Sequence, residues 1–141
     1  MRVLIADTNV IFLFSKNPDF VELVERLRKS GVKLITPQFC LDELVNTKVK
    51  SDLMKYAGFS EDGFEFFAGE VKKVFIVVPK FLYDDFMEEA KRISPDKKDV
   101  PLFALSLAFG KAPIWSREPR LKRQKSIEVL DNKGVEALLG K

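Results

Sequence analysis

The sequence predicts an α/β fold in which a mostly parallel sheet is covered by helices on both faces. Short apolar runs alternate with amphipathic stretches along the whole chain, which is typical of strand–helix–strand units. The first run, residues 3–6, is apolar throughout and predicts a buried strand. At 141 residues the chain can bury a core without disulfides or structural zinc, so we expect one domain over residues 1–141.

In the first half of the chain, cap and stop residues separate the predicted elements. Asn17 and Pro18 indicate a helix start, because proline is favoured at the first helical position, and Gly31 indicates that helix's end. Ser60, followed by two acidic residues, is predicted to cap a later helix. The predicted elements are a strand at 3–6, a helix at 18–30, a strand at 32–36, a helix at 39–56 and a helix at 61–73.

In the second half, a β-branched run bounded by Pro79 predicts the third strand, and an apolar stretch ending at Gly110 predicts a buried helix. The remaining runs are shorter and are assigned from their alternation with charged segments. The predicted elements are a strand at 74–78, a helix at 80–93, a charged loop at 96–98, a helix at 100–109, strands at 113–115 and 127–130, and a helix at 135–139.

The chain contains no histidine, which excludes a Ser-His-Asp triad, a Cys-His pair and an imidazole zinc site. Cys40 is the only cysteine, and its apolar neighbours predict a buried, inert thiol. The net charge of +3 says little about partners. Because the first strand follows Met1-Arg2 directly and no apolar run reaches membrane-spanning length, we expect a soluble cytoplasmic protein.

Four carboxylates lie next to predicted strand ends. Asp7 ends the first strand, Glu43 lies in the helix after the second, Asp99 begins the apolar helix, and Glu118 follows the fourth strand. Because the carboxyl ends of parallel strands meet at one edge of a sheet, these four acids are expected to converge. In a protein without histidine, converging carboxylates most naturally hold a hard divalent metal ion.

Each acid also has a purely structural interpretation. Asp7 is compatible with a turn or a helix cap, and Glu43 with a surface acid at the border of an apolar helix face. Asp96 and Asp99 both lie near a helix start, where acids are favoured. Glu118 is compatible with a surface ion pair to a nearby cation, the candidates being Arg117, Arg120 and Lys122.

Four short segments occur in the order and at the separations found in PIN-domain nucleases, so the chain resembles that family over essentially its whole length. The segments are Asp7-Thr8-Asn9, residues 41–44 (Leu-Asp-Glu-Leu), the block at 99–110 and residues 114–118 (Ile-Trp-Ser-Arg-Glu). The resemblance, which includes the small VapC-like toxins, implies a three-layer α/β/α sandwich with a roughly five-stranded sheet. It also implies a Mg²⁺- or Mn²⁺-dependent ribonuclease, as a toxin of a toxin–antitoxin pair or in RNA processing.

The same resemblance assigns the site residues. It implies that Asp7, Glu43, Asp99 and Glu118 are catalytic and hold one or two Mg²⁺ or Mn²⁺ ions. It implies supporting roles for three neighbouring polar residues: Thr8, Asn9 and Ser116. The family more often has Asp, followed by another acid, where this chain has Glu118 followed by Pro-Arg-Leu. The sequence therefore leaves open whether a second metal ion binds.

A basic run follows the fourth predicted strand, and its clustering favours a nucleic-acid partner. Its members are Arg117, Arg120, Lys122, Arg123 and Lys125, with Lys48 added from the helix of Glu43. Such clusters bind phosphate backbones without reading sequence, so single-stranded or structured RNA is the predicted substrate; the alternative is a solvated charged loop. The family resemblance also implies an antitoxin protein and a second copy of the chain as partners. Phe66, Phe67 and Phe81 are the candidates for the surface that binds the second copy.

Two other functions were compatible with parts of the sequence. A phosphatase with an aspartyl-phosphate intermediate fits Asp7, but it needs an acid two residues later, where Asn9 stands. A phosphorylated receiver domain needs an acidic pair after the first strand, which the chain lacks. The alternative from a different class is a catalytically weak PIN-like module that binds RNA or protein.

Overall fold

The chain forms a five-stranded, fully parallel sheet in the computed structural model, which describes residues 2–14, 17–56 and 58–140. The strands are ordered β3-β2-β1-β4-β5 across the sheet. Their bounds are β1 Arg2–Ala6, β2 Val32–Pro37, β3 Ile76–Val78, β4 Ile114–Trp115 and β5 Val129–Leu130. Every neighbouring pair is parallel, so all five carboxyl ends lie at one edge of the sheet.

Helices cover this sheet to give an α/β/α sandwich, which confirms the predicted fold class. Their bounds are α1 Thr8–Phe14, α2 Pro18–Lys29, α3 Gln38–Val45, α4 Thr47–Tyr56, α5 Glu61–Val74, α6 Met87–Ile93, α7 Val100–Ala108 and α8 Asn132–Leu139. Within the described residues, no helix combines the length and the apolar character that crossing a membrane requires.

The local signals that rest on a single cap residue are confirmed. The Asn17 side chain accepts a hydrogen bond from the Asp19 backbone N–H at 2.9 Å, with Pro18 opening α2. The Ser60 hydroxyl accepts one from the Gly63 N–H at 3.1 Å and caps α5. Gly31 has φ +83°, a left-handed conformation that glycine adopts without steric cost, and it follows the end of α2.

Several predicted boundaries are wrong. Helix α1, directly after β1, was not predicted, because its β-branched and aromatic residues have low helix propensity. The predicted helix at 39–56 is two helices, separated at Asn46, whose backbone is extended with φ −59° and ψ 141°. Residues 80–86 form two 3₁₀ turns before α6, and Val74 belongs to α5 rather than to β3. The last helix begins at Asn132, three residues earlier than predicted.

The predicted self-association surface is only partly exposed. Phe66 and Phe81 are 70% and 73% exposed, so both are available for a partner. Phe67 is buried and stacks on Phe59 with 5.5 Å between ring centroids, so including Phe67 in that surface was wrong. The helical spacing that exposes Phe66 turns the adjacent Phe67 into the core.

The core anchors the strand end that carries the fourth acid. Trp115 in β4 is fully buried and stacks nearly parallel on Phe20 of α2, with 5.8 Å between ring centroids. Its indole N–H donates to the Asn132 side-chain oxygen at 2.9 Å, which ties β4 to the start of α8. The chain that follows, from Ser116 to Glu118, therefore leaves the sheet from a well-packed position.

Candidate functional site

Asp7 lies at the carboxyl end of the central strand and is almost completely buried, with 8% of its surface exposed. Its backbone N–H donates to the Trp115 carbonyl at 3.1 Å, which holds β1 and β4 together beside the carboxylate. One carboxylate oxygen accepts the Thr8 backbone N–H at 2.7 Å, and the other accepts the Ser116 hydroxyl at 2.8 Å. The side chain is therefore oriented by the start of α1 and by the residue that follows β4.

Glu43 reaches the same place from α3, through Thr8 at the start of α1. The Thr8 hydroxyl donates to a Glu43 carboxylate oxygen at 2.7 Å, while the Thr8 backbone N–H donates to Asp7. One residue thus links the two acids. We call this pair the Asp7–Glu43 half of the site, and its hydrogen bonds come from neutral donors.

Asp99 and Glu118 are bound by a guanidinium group. Arg120 donates from Nε and Nη2 to the two oxygens of Asp99, at 3.1 and 3.0 Å, in a forked arrangement. Its Nη1 donates to Glu118 at 2.7 Å. The Asp99 side chain is 4% exposed and that of Arg120 24%, so this ion pair is largely shielded from water. We call this pair the Asp99–Glu118 half.

All four predicted acids line one cavity of about 380 Å³ at the carboxyl edge of the sheet. Thr8 and Asn9 line it too, as predicted for supporting residues, whereas Ser116 lies beneath it as a buried partner of Asp7. The cavity is also lined by residues that were not predicted to lie there: Phe12, Phe39, Asp52, Lys98 and Leu102. Arg120, which was predicted to contact RNA, lines the cavity as well. Phe12, Phe39 and Leu102 give it an apolar wall.

Burial and neighbouring charge change the acidity of three groups at this site. Burial raises the pKa of Asp7 most, the charges of Asp99 and Glu43 raise it further, and the hydrogen bonds from Ser116 and Thr8 oppose the increase. Cys40 is buried, as predicted, and burial, reinforced by the charge of Asp7, raises the pKa of its thiol to about 12. The hydrogen bond to Asp99 raises the pKa of Arg120, which stays charged.

The donor set fits a hard divalent cation, because carboxylate oxygens are the ligands that Mg²⁺ and Mn²⁺ prefer. The arrangement, however, does not gather the acids around one point. Among the described residues, no three Asp, Glu or Cys side chains are close enough together to hold a metal ion. Arg120 binds two of the four acids, Asp99 and Glu118, and so compensates the charge of one half of the site.

The predicted basic run is divided between the cavity and the surface. Arg120 points into the cavity, and Lys122 forms an exposed ion pair with Asp131 at 3.5 Å. Arg117, Arg123 and Lys125 are exposed. The side chain of Lys48 lies outside the described part of the structure, so its predicted contact with RNA remains a prediction.

The direction of Arg120 is the feature that the sequence analysis missed. Its spacing after Glu118 did suggest an ion pair between the two, which the structure contains. Nothing in the local sequence indicated that the same guanidinium would reach Asp99, which is distant in the chain. A basic residue shortly after the last acid is the one sequence signal that was available.

Comparison with known proteins identifies the family to which the chain belongs. The family model described as PIN domain matches residues 5–124. The chain belongs to the PIN domain family. PIN domains are generally nucleases and generally use divalent metal ions. The matched segment includes all four acids and Arg120.

A solved structure with the same fold is a chain of the VapBC2 complex from Rickettsia felis, which was solved bound to a DNA fragment from the VapBC2 promoter. The TM-score is 0.64 at 13% identity, and the match covers 92% of this PIN domain and 98% of that chain. At this identity the likeness shows the fold. No curated protein matches the chain.

Proposed function

We propose that this PIN domain is a metal-dependent endoribonuclease that hydrolyses RNA phosphodiester bonds. One observation carries the proposal: four acids from four separate segments of the chain line a single cavity at the carboxyl edge of the parallel sheet. Open α/β folds bind their ligands at this edge. Such a concentration of negative charge in a partly buried cavity is expected to bind a cation.

The hydrogen bonds that orient Asp7 and Glu43 come from neutral donors, and Thr8 donates to both acids. Ser116 fixes the second oxygen of Asp7. Mg²⁺ or Mn²⁺, when bound, would polarise the phosphodiester and lower the pKa of a bound water molecule. From the resemblance to PIN-domain nucleases we expect a 5′-phosphate and a 3′-hydroxyl as products, and the absence of histidine excludes a histidine acid–base pair.

Exposed cations beside the cavity support RNA as the substrate. Arg117, Arg123 and Lys125 are exposed in the segment that also delivers Glu118 and Arg120 to the cavity. Their charges would attract the phosphate backbone without reading its sequence. Asn9, on the cavity wall, accepts a long 3.5 Å contact from the Arg117 backbone N–H, which links this segment to the start of α1.

The remaining expectations belong to the same proposal. The fold likeness to a VapBC2 chain favours a toxin held by an antitoxin partner over a role in RNA processing. The exposed Phe66 and Phe81 support assembly into a dimer or a higher oligomer. We further propose that residues 1–141 act as one PIN-like domain in the cytoplasm.

One observation favours a second function. The forked contact of Arg120 with Asp99 occupies two carboxylate oxygens of the site, which is compatible with a catalytically weak module that binds RNA or protein. In that case the acids would be neutralised by the chain rather than by metal. The two functions differ in whether divalent metal is required for any RNA cleavage.

The deciding experiment incubates end-labelled single-stranded and structured RNAs with the protein in Mn²⁺ or Mg²⁺. Asp7→Asn removes the central carboxylate, and Asp42→Asn, an exposed acid next to Glu43, is the matched control. We expect cleavage that EDTA and Asp7→Asn abolish and that Asp42→Asn retains. Cleavage that persists in EDTA would reject the metal mechanism, and RNA binding without cleavage by the wild type would favour the binding module.

A further inference from the structure

The two halves of the cavity differ in how their negative charge is compensated. In the Asp99–Glu118 half, three nitrogens of one guanidinium contact three carboxylate oxygens at 2.7 to 3.1 Å. In the Asp7–Glu43 half, the donors are an amide N–H and two hydroxyl groups. Arg120 therefore brings a full positive charge into contact with one half of the site, whereas neutral donors orient the other half.

Arg120 is held in this position by its surroundings. It lies in the 3₁₀ turn Pro119–Arg123, between a proline, whose ring restricts the backbone, and Leu121, which is fully buried. The planar fork of a guanidinium matches a carboxylate, so the contact with Asp99 is directional as well as ionic. Because Asp99 is shielded from water, the attraction is screened less than that of a surface pair.

We propose that Arg120 is a built-in cation that takes the place of a second metal ion between Asp99 and Glu118, so that this chain binds one divalent ion, from the Asp7–Glu43 side. The inference rests on the proposed function, because the ion is the one that this activity would use. It goes beyond that function by naming the half of the site that takes the metal and the residue that excludes a second one.

Competition for the same oxygens is the physical reason. A metal ion between Asp99 and Glu118 would have to share or displace the contacts that Arg120 makes, and its charge would repel the guanidinium. The hydrogen bonds of Asp7 and Glu43 come from Thr8 and Ser116, so a metal ion bound there would not compete for the contacts that Arg120 makes. Mg²⁺ is commonly held by one or two carboxylates together with waters and substrate phosphate, so a cluster of three acids is not required there.

The test counts Mn²⁺ ions on the whole chain by calorimetry and by electron paramagnetic resonance, without RNA. We expect about one ion per wild-type chain, with the spectrum of an isolated ion. In Arg120→Gln the Asp99–Glu118 half loses its cation, so about two ions should bind, close enough for their spins to couple. Arg123→Gln removes the same charge from an exposed position on the same turn and should retain the wild-type count.

Two ions on the wild type, or a single uncoupled ion on folded Arg120→Gln, would overturn the inference. The number of Mn²⁺ ions on the wild type tests the inference even if Arg120→Gln folds poorly. Arg120→Lys, which keeps the positive charge but loses the forked geometry, should again bind about one ion. Failure of the proposed function is distinguishable. If the wild type binds one ion but does not cleave RNA, the nuclease proposal is rejected and the inference is kept. If the wild type binds two ions and cleaves RNA in a metal-dependent way, the inference is rejected and the nuclease proposal is kept. No binding to the wild type would overturn the inference and remove the metal from the proposed function.

Discussion

In the Asp7–Glu43 half of the cavity the carboxylates accept hydrogen bonds from amide and hydroxyl groups, whereas in the Asp99–Glu118 half they bind a guanidinium. Neutral donors orient a carboxylate but leave most of its charge uncompensated, and burial then raises the pKa of Asp7. A guanidinium both orients and neutralises. This difference is the basis of the proposal that the first half receives a metal cation while Arg120 supplies the positive charge in the second half.

The largest expected effect comes from removing the second acid of the uncompensated half. We expect Glu43→Gln to lower the rate of RNA cleavage by about 10²-fold or more and to weaken Mn²⁺ binding, because an amide is a poor ligand for a hard cation. Cleavage assays and Mn²⁺ titration measure the two effects. Asp42→Asn on the same helix is the control, and equal losses in both variants would contradict a special role for Glu43.

Removing the guanidinium tests the compensated half. Arg120→Ala removes the ion-pair partner of the buried Asp99. We therefore expect the free energy of unfolding of the variant in EDTA to be lower than that of the wild type by about 2 kcal/mol. Urea denaturation measures the change, and added Mn²⁺ should restore part of the loss by binding the freed carboxylates. A loss no greater than that of Arg123→Ala, at an exposed position on the same turn, would mean that the pair contributes nothing to stability.

Thr8 tests whether orientation matters within the uncompensated half. Thr8→Val keeps the size of the side chain but removes the hydroxyl that donates to Glu43 at 2.7 Å. Groups that orient metal ligands typically contribute about tenfold to a hundredfold, and we expect about a tenfold loss of cleavage with the protein still folded. Wild-type rates in Thr8→Val would show that Glu43 needs no positioning.

The smallest expected effect is on the pH dependence of stability, which follows from the raised pKa of Asp7. The pKa of folded Asp7 is raised above its ordinary value of 3.8, so the folded state binds that proton more tightly than the unfolded state does. Stability from this group is fully present below the ordinary value and is lost as the pH rises through the raised pKa.

We therefore expect the unfolding free energy of wild type, relative to Asp7→Asn, to decrease with rising pH above about pH 4 in EDTA. Urea denaturation at several pH values measures this difference. A flat or rising difference would show that the hydrogen bonds from Thr8 and Ser116 outweigh burial.

Local sequence was sufficient for most of the fold that positions this site. An apolar run ending in Asp7, a Pro18 helix start and the Ser60 cap each depend on a few adjacent residues, and the structure contains all three features. Helix α1 and the break at Asn46 were missed because intrinsic propensity is a weak guide where tertiary packing decides. The same limit explains Phe67, since adjacent aromatic residues do not reveal which of them faces the core.

For the site, the order of strands and acids along the chain was enough to place Asp7, Glu43, Asp99 and Glu118 together, because parallel topology brings strand ends to one edge. The sequence also suggested the ion pair of Glu118 with Arg120, whereas the partner of Asp99 depended on tertiary structure. Arg120 contacts Asp99 across 21 positions of sequence, at distances of 3.0 and 3.1 Å. The sequence shows that several basic residues are clustered after the fourth strand. Only the packing of the chain determines which basic side chain turns inward to a buried carboxylate and which remain exposed to water.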